Sequence, residues 1–140
     1  MKKKIQKKYT YQGLGFPVEL NDVSFILLEN EWIPVIDVRK VSQKAFKDLA
    51  LQENRLSGNQ IKFVRDHLGM SLREFADKVV HQSHMAVSKW EKFYDAATNM
   101  DQATELVLRL YIFHETISKN SKSEQSFINA YEKISSMRLI

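Results

Sequence analysis

Two helix-start signals lie close together in the middle of the chain. Ser71 is followed three residues later by Glu74, which is the arrangement of a capping box. A second helix start follows at Ser83. Behind each start, apolar residues recur at helical spacing, namely Phe75, Ala76 and Val79 in the first segment and Val87 and Trp90 in the second. The spacing predicts two short amphipathic helices joined by a brief turn, packed within a helical bundle.

The composition is that of a folded domain of ordinary size. The 140 residues are 44% hydrophobic, which is enough for one packed core. The net charge of +4 permits an acidic partner, and nucleic acid is the first candidate. The absence of cysteine excludes disulfides, thiolate zinc sites and cysteine nucleophiles. Apolar runs are too short to span a bilayer, and no apolar segment follows the basic start as in a signal peptide, so we expect a cytoplasmic protein.

The N-terminal third of the chain differs in composition from the rest. Residues 1–8 contain five lysines and predict a mobile basic tail, with a DNA-contacting arm as the alternative. Residues 9–54 predict a small β-rich module with a linking helix at about 38–52, begun by Asp37. Its expected antiparallel strands cover residues 16–20, 23–28 and 31–36. Pro34 predicts that the last strand lies at an edge or that the proline occupies a position where a backbone N–H would face outward, because proline cannot donate to a ladder.

The remaining two thirds of the sequence predict helices. Residues 55–117 form the expected helical domain, and Ser57 with Gln60 begins its first helix. A later helix over 100–117 has an expected core face of Leu106, Val107, Leu110, Tyr111 and Phe113. Residues 118–140 predict a linker and a C-terminal helix whose apolar residues are Phe127, Ile128, Tyr131 and Ile134. The predicted fold is mostly α with a small N-terminal antiparallel β element.

The helical domain resembles a known family over about residues 57–117. Arg65, Gly69-Met-Ser71, Phe75-Ala76 and Val87-Ser-Lys-Trp-Glu91 resemble the Xre family, the helix-turn-helix class of phage Cro and lambda-type repressors. The resemblance implies a lambda-repressor-like bundle, a homodimer on a palindromic operator, and a structural salt bridge between Arg65 and Glu91. The sequence departs from the family pattern in Leu72 in place of a glutamine, in the lack of a turn glycine, and in one additional residue before Ser83.

In such a protein the exposed face of the second motif helix enters the major groove. Backbone N–H groups at helix starts suit phosphate oxygens, because helix N-termini carry partial positive charge. The predicted DNA-binding residues are therefore Ser71, Arg73, Ser83, His84, Met85, Ser88, Lys89 and Lys92.

A second resemblance extends into the N-terminal module. The segments Tyr9-Thr-Tyr-Gln-Gly13, Glu31-Trp32 and Arg55-Leu-Ser-Gly-Asn-Gln-Ile61 are similar to MqsA-type antitoxins of bacterial toxin-antitoxin modules. The resemblance implies a repressor of its own operon and a cognate toxin as a candidate partner of the N-terminal module. Those antitoxins often carry zinc in that module. This chain has no cysteine pair, so we expect no zinc and no other cofactor.

Other functional classes have weaker support in the sequence. The alternative to a DNA-binding repressor is a protein-interaction module on the same scaffold, with Leu72 and Met85 in an apolar partner surface. His81 and His84 lack a third metal ligand at suitable spacing. The carboxylates Glu29, Glu31 and Asp37 lack a partnered catalytic group, so we expect no enzyme. Aromatic residues that could stack nucleic-acid bases, but that more often pack a small core, are Tyr9, Tyr11 and Trp32.

Overall fold

The computed structural model describes residues 2–117 and 123–136, except for the side chains of residues 123–127. The chain divides into two compact units, Met1–Ala45 and Phe46–Ile140. Within the described ranges, none of the helices combines the length and apolar character that a membrane crossing requires.

The first unit is built on a three-stranded antiparallel sheet. The strands are β1 (Lys3–Tyr11), β2 (Val18–Leu28) and β3 (Glu31–Pro34), in the order β1-β2-β3. The predicted antiparallel sheet is therefore confirmed, and Pro34 lies at the end of an edge strand as expected. The strands predicted at 16–20 and 23–28 form one continuous strand. Asp22 lies within this strand and has a φ of 55°, a left-handed conformation that aspartate tolerates better than most residues.

The prediction of a mobile basic tail over residues 1–8 is wrong for residues 3–8. Residues 3–8 belong to β1, where for example Lys4 pairs with Phe25 and Lys8 with Asn21. A lysine-rich segment cannot bury its side chains, but a strand at a sheet edge needs only its backbone to be paired. The lysine side chains of residues 2–8 remain exposed, so the composition and the strand are compatible.

Aromatic and aliphatic side chains hold this sheet together. Val23 and Phe25 of β2 are buried. Tyr9 packs edge-on against Phe25, with 5.4 Å between the ring centroids. The Lys4 ammonium lies 4.5 Å from the centroid of the Trp32 ring, a cation–π contact. These contacts support packing as the role of Tyr9 and Trp32 within the unit.

The first helix, α1 (Val38–Leu49), begins in the first unit and ends in the second. Asp37 caps it, because the Asp37 Oδ1 atom accepts a 3.2 Å hydrogen bond from the Lys40 backbone N–H. The division between the units at Ala45 precedes the module boundary that the sequence predicts at residue 54. Because α1 continues across the division between the units, the amino-acid composition gives little indication of where that division lies.

The second unit consists of helices. They are α2 (Gly58–His67), α3 (Leu72–Phe75) with a π-helical turn directly after it (Ala76–Val80), α4 (His84–Glu91), α5 (Gln102–Ile117) and α6 (Ser123–Ser136). The C-terminal helix α6 agrees with the sequence prediction, and residues 118–122 of the predicted linker lie outside the described residues. Side chains that are fully or almost fully buried in this unit include Leu56, Ile61, Val64, Phe75, Val79, Val87, Leu108, Ile112 and Ile134.

The predicted core face of α5 is only partly correct. Phe113 is buried as expected, but Val107 is 46% exposed, and Leu106, Leu110 and Tyr111 are half-buried. The residues that face the core are Thr104, Glu105, Leu108, Arg109, Ile112 and Phe113. The periodicity of apolar residues predicts a neighbouring face of the helix, because two of the buried positions are the charged residues Glu105 and Arg109. These two side chains form an ion pair with each other.

Candidate nucleic-acid interface

Both predicted helix starts are capped in the structure. The Ser71 hydroxyl accepts a 3.1 Å hydrogen bond from the Glu74 N–H, and Glu74 accepts one of 3.4 Å from the Ser71 N–H. The Ser83 hydroxyl accepts a 3.1 Å bond from the Ala86 N–H at the start of α4. These local bonds satisfy backbone donors that a helix leaves free. They fix where α3 and α4 begin.

The connection between α3 and α4 has an unusual geometry. The turn over Ala76–Val80 is π-helical, and a π-helical turn accommodates one more residue than an α-helical one. His81 then adopts a left-handed conformation with a φ of 54°, which is uncommon for residues other than glycine. Both features lie in the segment between α3 and α4, which contains no glycine.

The inner side of α4 is firmly held. Val87 and Trp90 are buried. At the end of α4, Glu91 accepts two hydrogen bonds from Arg65 of α2, 2.7 Å from Nε and 3.0 Å from Nη2. The Arg65 Nη1 group also donates a 3.1 Å bond to the Met70 carbonyl. The structure thus brings Arg65 and Glu91 together as a structural pair, and hydrogen bonding to Glu91 raises the pKa of Arg65.

The segment after α4 lies directly against the start of α2. The Gly58 and Asn59 N–H groups donate to the Ala96 and Tyr94 carbonyls at 3.3 and 2.8 Å. A Cβ atom on Gly58 would lie 2.5 Å from the Trp90 carbonyl oxygen, so glycine is required for this approach. The close contact fixes the C-terminal end of α4, and sequence reasoning missed it.

The outer side of α4 is accessible and carries positive charge. Met85 is 63% exposed, and Lys89 and Lys92 are exposed as well. His84 and Ser88 are half-buried, whereas Ser71 and Arg73 are exposed at the start of α3. No carboxylate in the described part of the chain forms a salt bridge with either lysine of this group. Lys89 of α4 and Lys92, the residue directly after the helix, therefore both carry an ammonium group that no described carboxylate pairs.

An open cleft of about 730 Å³ runs beside this surface. Its lining includes Trp90 and Met100, which are buried, and Lys89 and Lys92, which are exposed. Asp101 also lines the cleft, and hydrogen bonds from Thr104 lower the pKa of its carboxyl group. The lining of the cleft therefore contains both cationic and anionic side chains.

The histidines do not form a metal site with their neighbours. Among the residues that the structure describes, no group of three or more histidine or acidic side chains is arranged to hold a metal ion. His81 is exposed in the turn and His84 is half-buried at the start of α4.

A buried network of charged side chains lies within the second unit. Glu105 and Arg109 are one turn apart on α5, fully buried, with 2.9 Å between Glu105 Oε2 and Arg109 Nη2. Arg55 joins them through a 3.1 Å contact from its Nε atom to Glu105 Oε1. Arg109 also donates to the carbonyls of Gln52 and Asn54. The sequence signal of this network is an opposite-charge pair at i and i+4 on an otherwise apolar helix, and apolar periodicity alone does not detect it.

Comparison with known proteins provides no assignment. No protein-family model matches the chain, and neither curated proteins nor solved structures contain a match.

Proposed function

We propose that the chain is a sequence-specific, double-stranded-DNA-binding transcriptional repressor of the helix-turn-helix class. In this proposal, α3 with its π-helical turn is the first helix of the motif and α4 is the recognition helix. The observation that carries the proposal is the contrast between the two sides of α4. Val87 and Trp90 are buried, while Met85, Lys89 and Lys92 are exposed on the outer side. A fixed helix with an accessible cationic side suits the major groove.

The residues of the proposed interface divide between base edges and phosphates. In this proposal, Met85 and Ser88, which are one turn apart on the outer side of α4, contact base edges. Lys89 and Lys92 contact phosphates, with which a flexible ammonium makes charge-assisted bonds. The capped starts of α3 and α4 offer further N–H donors beside Ser71 and Ser83. Arg65 and Glu91 stay outside the interface because they bind each other.

The proposal includes a homodimer on a palindromic operator. Two recognition helices related by a twofold axis would read half-sites about one DNA turn apart, roughly 34 Å. The proposed dimer interface consists of exposed apolar side chains on α5 and α6, namely Val107, Ile128 and Tyr131. A role as the antitoxin of a toxin-antitoxin module rests on the sequence resemblance to MqsA-type proteins. The exposed sheet of the first unit is the candidate surface for such a partner.

An apolar partner surface is the alternative use of the same face. Met85 and Tyr94 are both 63% exposed, and Leu72 is half-buried at the start of α3. Exposed apolar side chains near a motif of this kind could bind a protein in place of DNA. In that case the lysines would make little difference to binding.

Replacement of Lys89 and Lys92 by alanine separates the two uses. We expect the double variant to bind its own upstream DNA more weakly and to reduce the slope of log affinity against log salt by about two, since each phosphate contact contributes about 0.9. Fluorescence anisotropy over a salt series measures both quantities. Lys47→Ala with Lys62→Ala, at two other exposed lysines, is the matched control and should leave the slope unchanged. An unaltered slope in the Lys89 and Lys92 variant would contradict this docking.

A further inference from the structure

β1 is a long edge strand with an accessible outer side. It has nine residues and lies at one end of the strand order, and no other described strand pairs with its outer edge. Residues 2–8 are all exposed. Such an edge presents backbone N–H and C=O groups to any extended chain, and within β1 the Lys8 carbonyl accepts a 2.7 Å hydrogen bond from the Gln6 side-chain amide. The opposite edge of the sheet is different, because β3 has only four residues and ends at Pro34.

The outer strand also concentrates positive charge. Residues 2–8 contain five lysines and no acidic residue, while the whole chain has a net charge of +4. The residues of β2 that pair with Lys3, Lys4 and Lys8 are uncharged, namely Ile26, Phe25 and Asn21, whereas the acidic Asp22 lies between the partners of Gln6 and Lys8. Lysines point to both faces of the sheet, because side chains alternate along a strand. The strand pairing therefore leaves three of the four β1 lysines without an acidic partner on β2.

The positive charge of β1 distinguishes between the partners that could bind to its open edge. A second copy that paired through β1 would bring lysine against lysine, which destabilises a strand pair. A basic partner protein meets the same repulsion. Ile5, in the middle of the lysines, is 68% exposed and adds an apolar position to the edge. Nucleic acid would use the lysines but neither the free backbone groups nor Ile5.

We propose that an acidic, extended segment of another protein adds to the outer edge of β1 as a fourth strand. Backbone hydrogen bonds to β1 would supply affinity, and side chains at alternating positions would supply specificity. Acidic side chains on both faces of the added segment would lie against the lysines. An aliphatic side chain near its centre would contact Ile5. The partner is thus predicted to be acidic in the segment that binds.

The test uses the full chain and a synthetic peptide as long as β1. The peptide carries glutamate opposite each lysine and valine opposite Ile5. Calorimetric titration should detect binding, and hydrogen exchange should slow at the outward-facing amides of β1. A peptide of the same charge with a central proline should bind about tenfold more weakly or worse, because proline interrupts strand pairing. A peptide with lysine in place of glutamate should not bind.

Charge reversal in β1 provides the second arm of the test. Lys3→Glu with Lys7→Glu should weaken binding of the acidic peptide by about tenfold or more, since attraction becomes repulsion. Lys47→Glu with Lys62→Glu is the control of equal net charge, and circular dichroism checks that both variants remain folded. The proposal is overturned if the acidic peptide does not bind, if the proline peptide binds equally well, or if duplex DNA rather than the peptide protects β1.

Discussion

Glu105→Gln is expected to lower the free energy of unfolding by about 3–5 kcal/mol, because it leaves a buried arginine without its counter-charge. Arg109 is 0% exposed and binds Glu105 through two of its nitrogen atoms. Glutamine fits the same space but carries no charge. Urea unfolding followed by circular dichroism measures the loss.

Two further variants identify charge as the cause. Replacing Arg55, Glu105 and Arg109 together by leucine should restore a large part of the lost stability, because apolar residues often substitute for a whole buried ionic network at little cost. Glu132→Gln, at an exposed position of α6, should change stability by less than about 0.5 kcal/mol. A Glu105→Gln protein that is as stable as the Glu132→Gln protein would show that the network is not needed.

Gly58→Ala is expected to lower the free energy of unfolding by about 2–3 kcal/mol, near the upper end of the range for overpacking. The added Cβ atom would lie 2.5 Å from the Trp90 carbonyl oxygen and 2.6 Å from the Tyr94 backbone nitrogen. Both atoms are backbone, so relief requires movement of the segment that fixes the end of α4. Urea unfolding measures the loss, and Trp90 fluorescence reports the local displacement.

Gly69 provides the matched glycine control. Its φ is 68° and a Cβ atom there would meet nothing within 4 Å, so alanine at this position carries only a conformational cost of about 1–2 kcal/mol. Asparagine tolerates this conformation and should recover part of the loss at Gly69. At Gly58, asparagine should be worse than alanine, because the obstacle there is space. Recovery by asparagine at Gly58 would contradict the close-contact explanation.

The parts of the fold that depend on neighbouring residues could be predicted from the sequence. Capping at Ser57, Ser71 and Ser83 depends on hydrogen bonds that span three residues, so the pattern of hydroxyl and apolar positions was sufficient. The buried positions Val87 and Trp90 followed from helical spacing in the same way. These residues define α4 and the side that it leaves exposed.

The parts that depend on distant residues were missed. β1 contradicts its own composition, since its structure comes from pairing with β2. The inner face of α5 contains Glu105 and Arg109. These charged side chains can be buried in a core because they form ion pairs with each other and with Arg55. The residues around Gly58 in the sequence do not indicate that glycine is needed there, because the backbone atoms that leave no room for a Cβ atom belong to residues more than thirty positions away.

Selection of DNA from a pool of randomised duplexes tests the central claim most directly. The full chain is mixed with the pool at physiological salt, and retained duplexes are sequenced over successive rounds. Sequence-specific recognition by a dimer through α4 predicts enrichment of a palindromic motif with half-sites about ten base pairs apart. The Lys89→Ala and Lys92→Ala double variant should retain the same motif more weakly. Retention without enrichment of any sequence, or no retention, would contradict the proposed function.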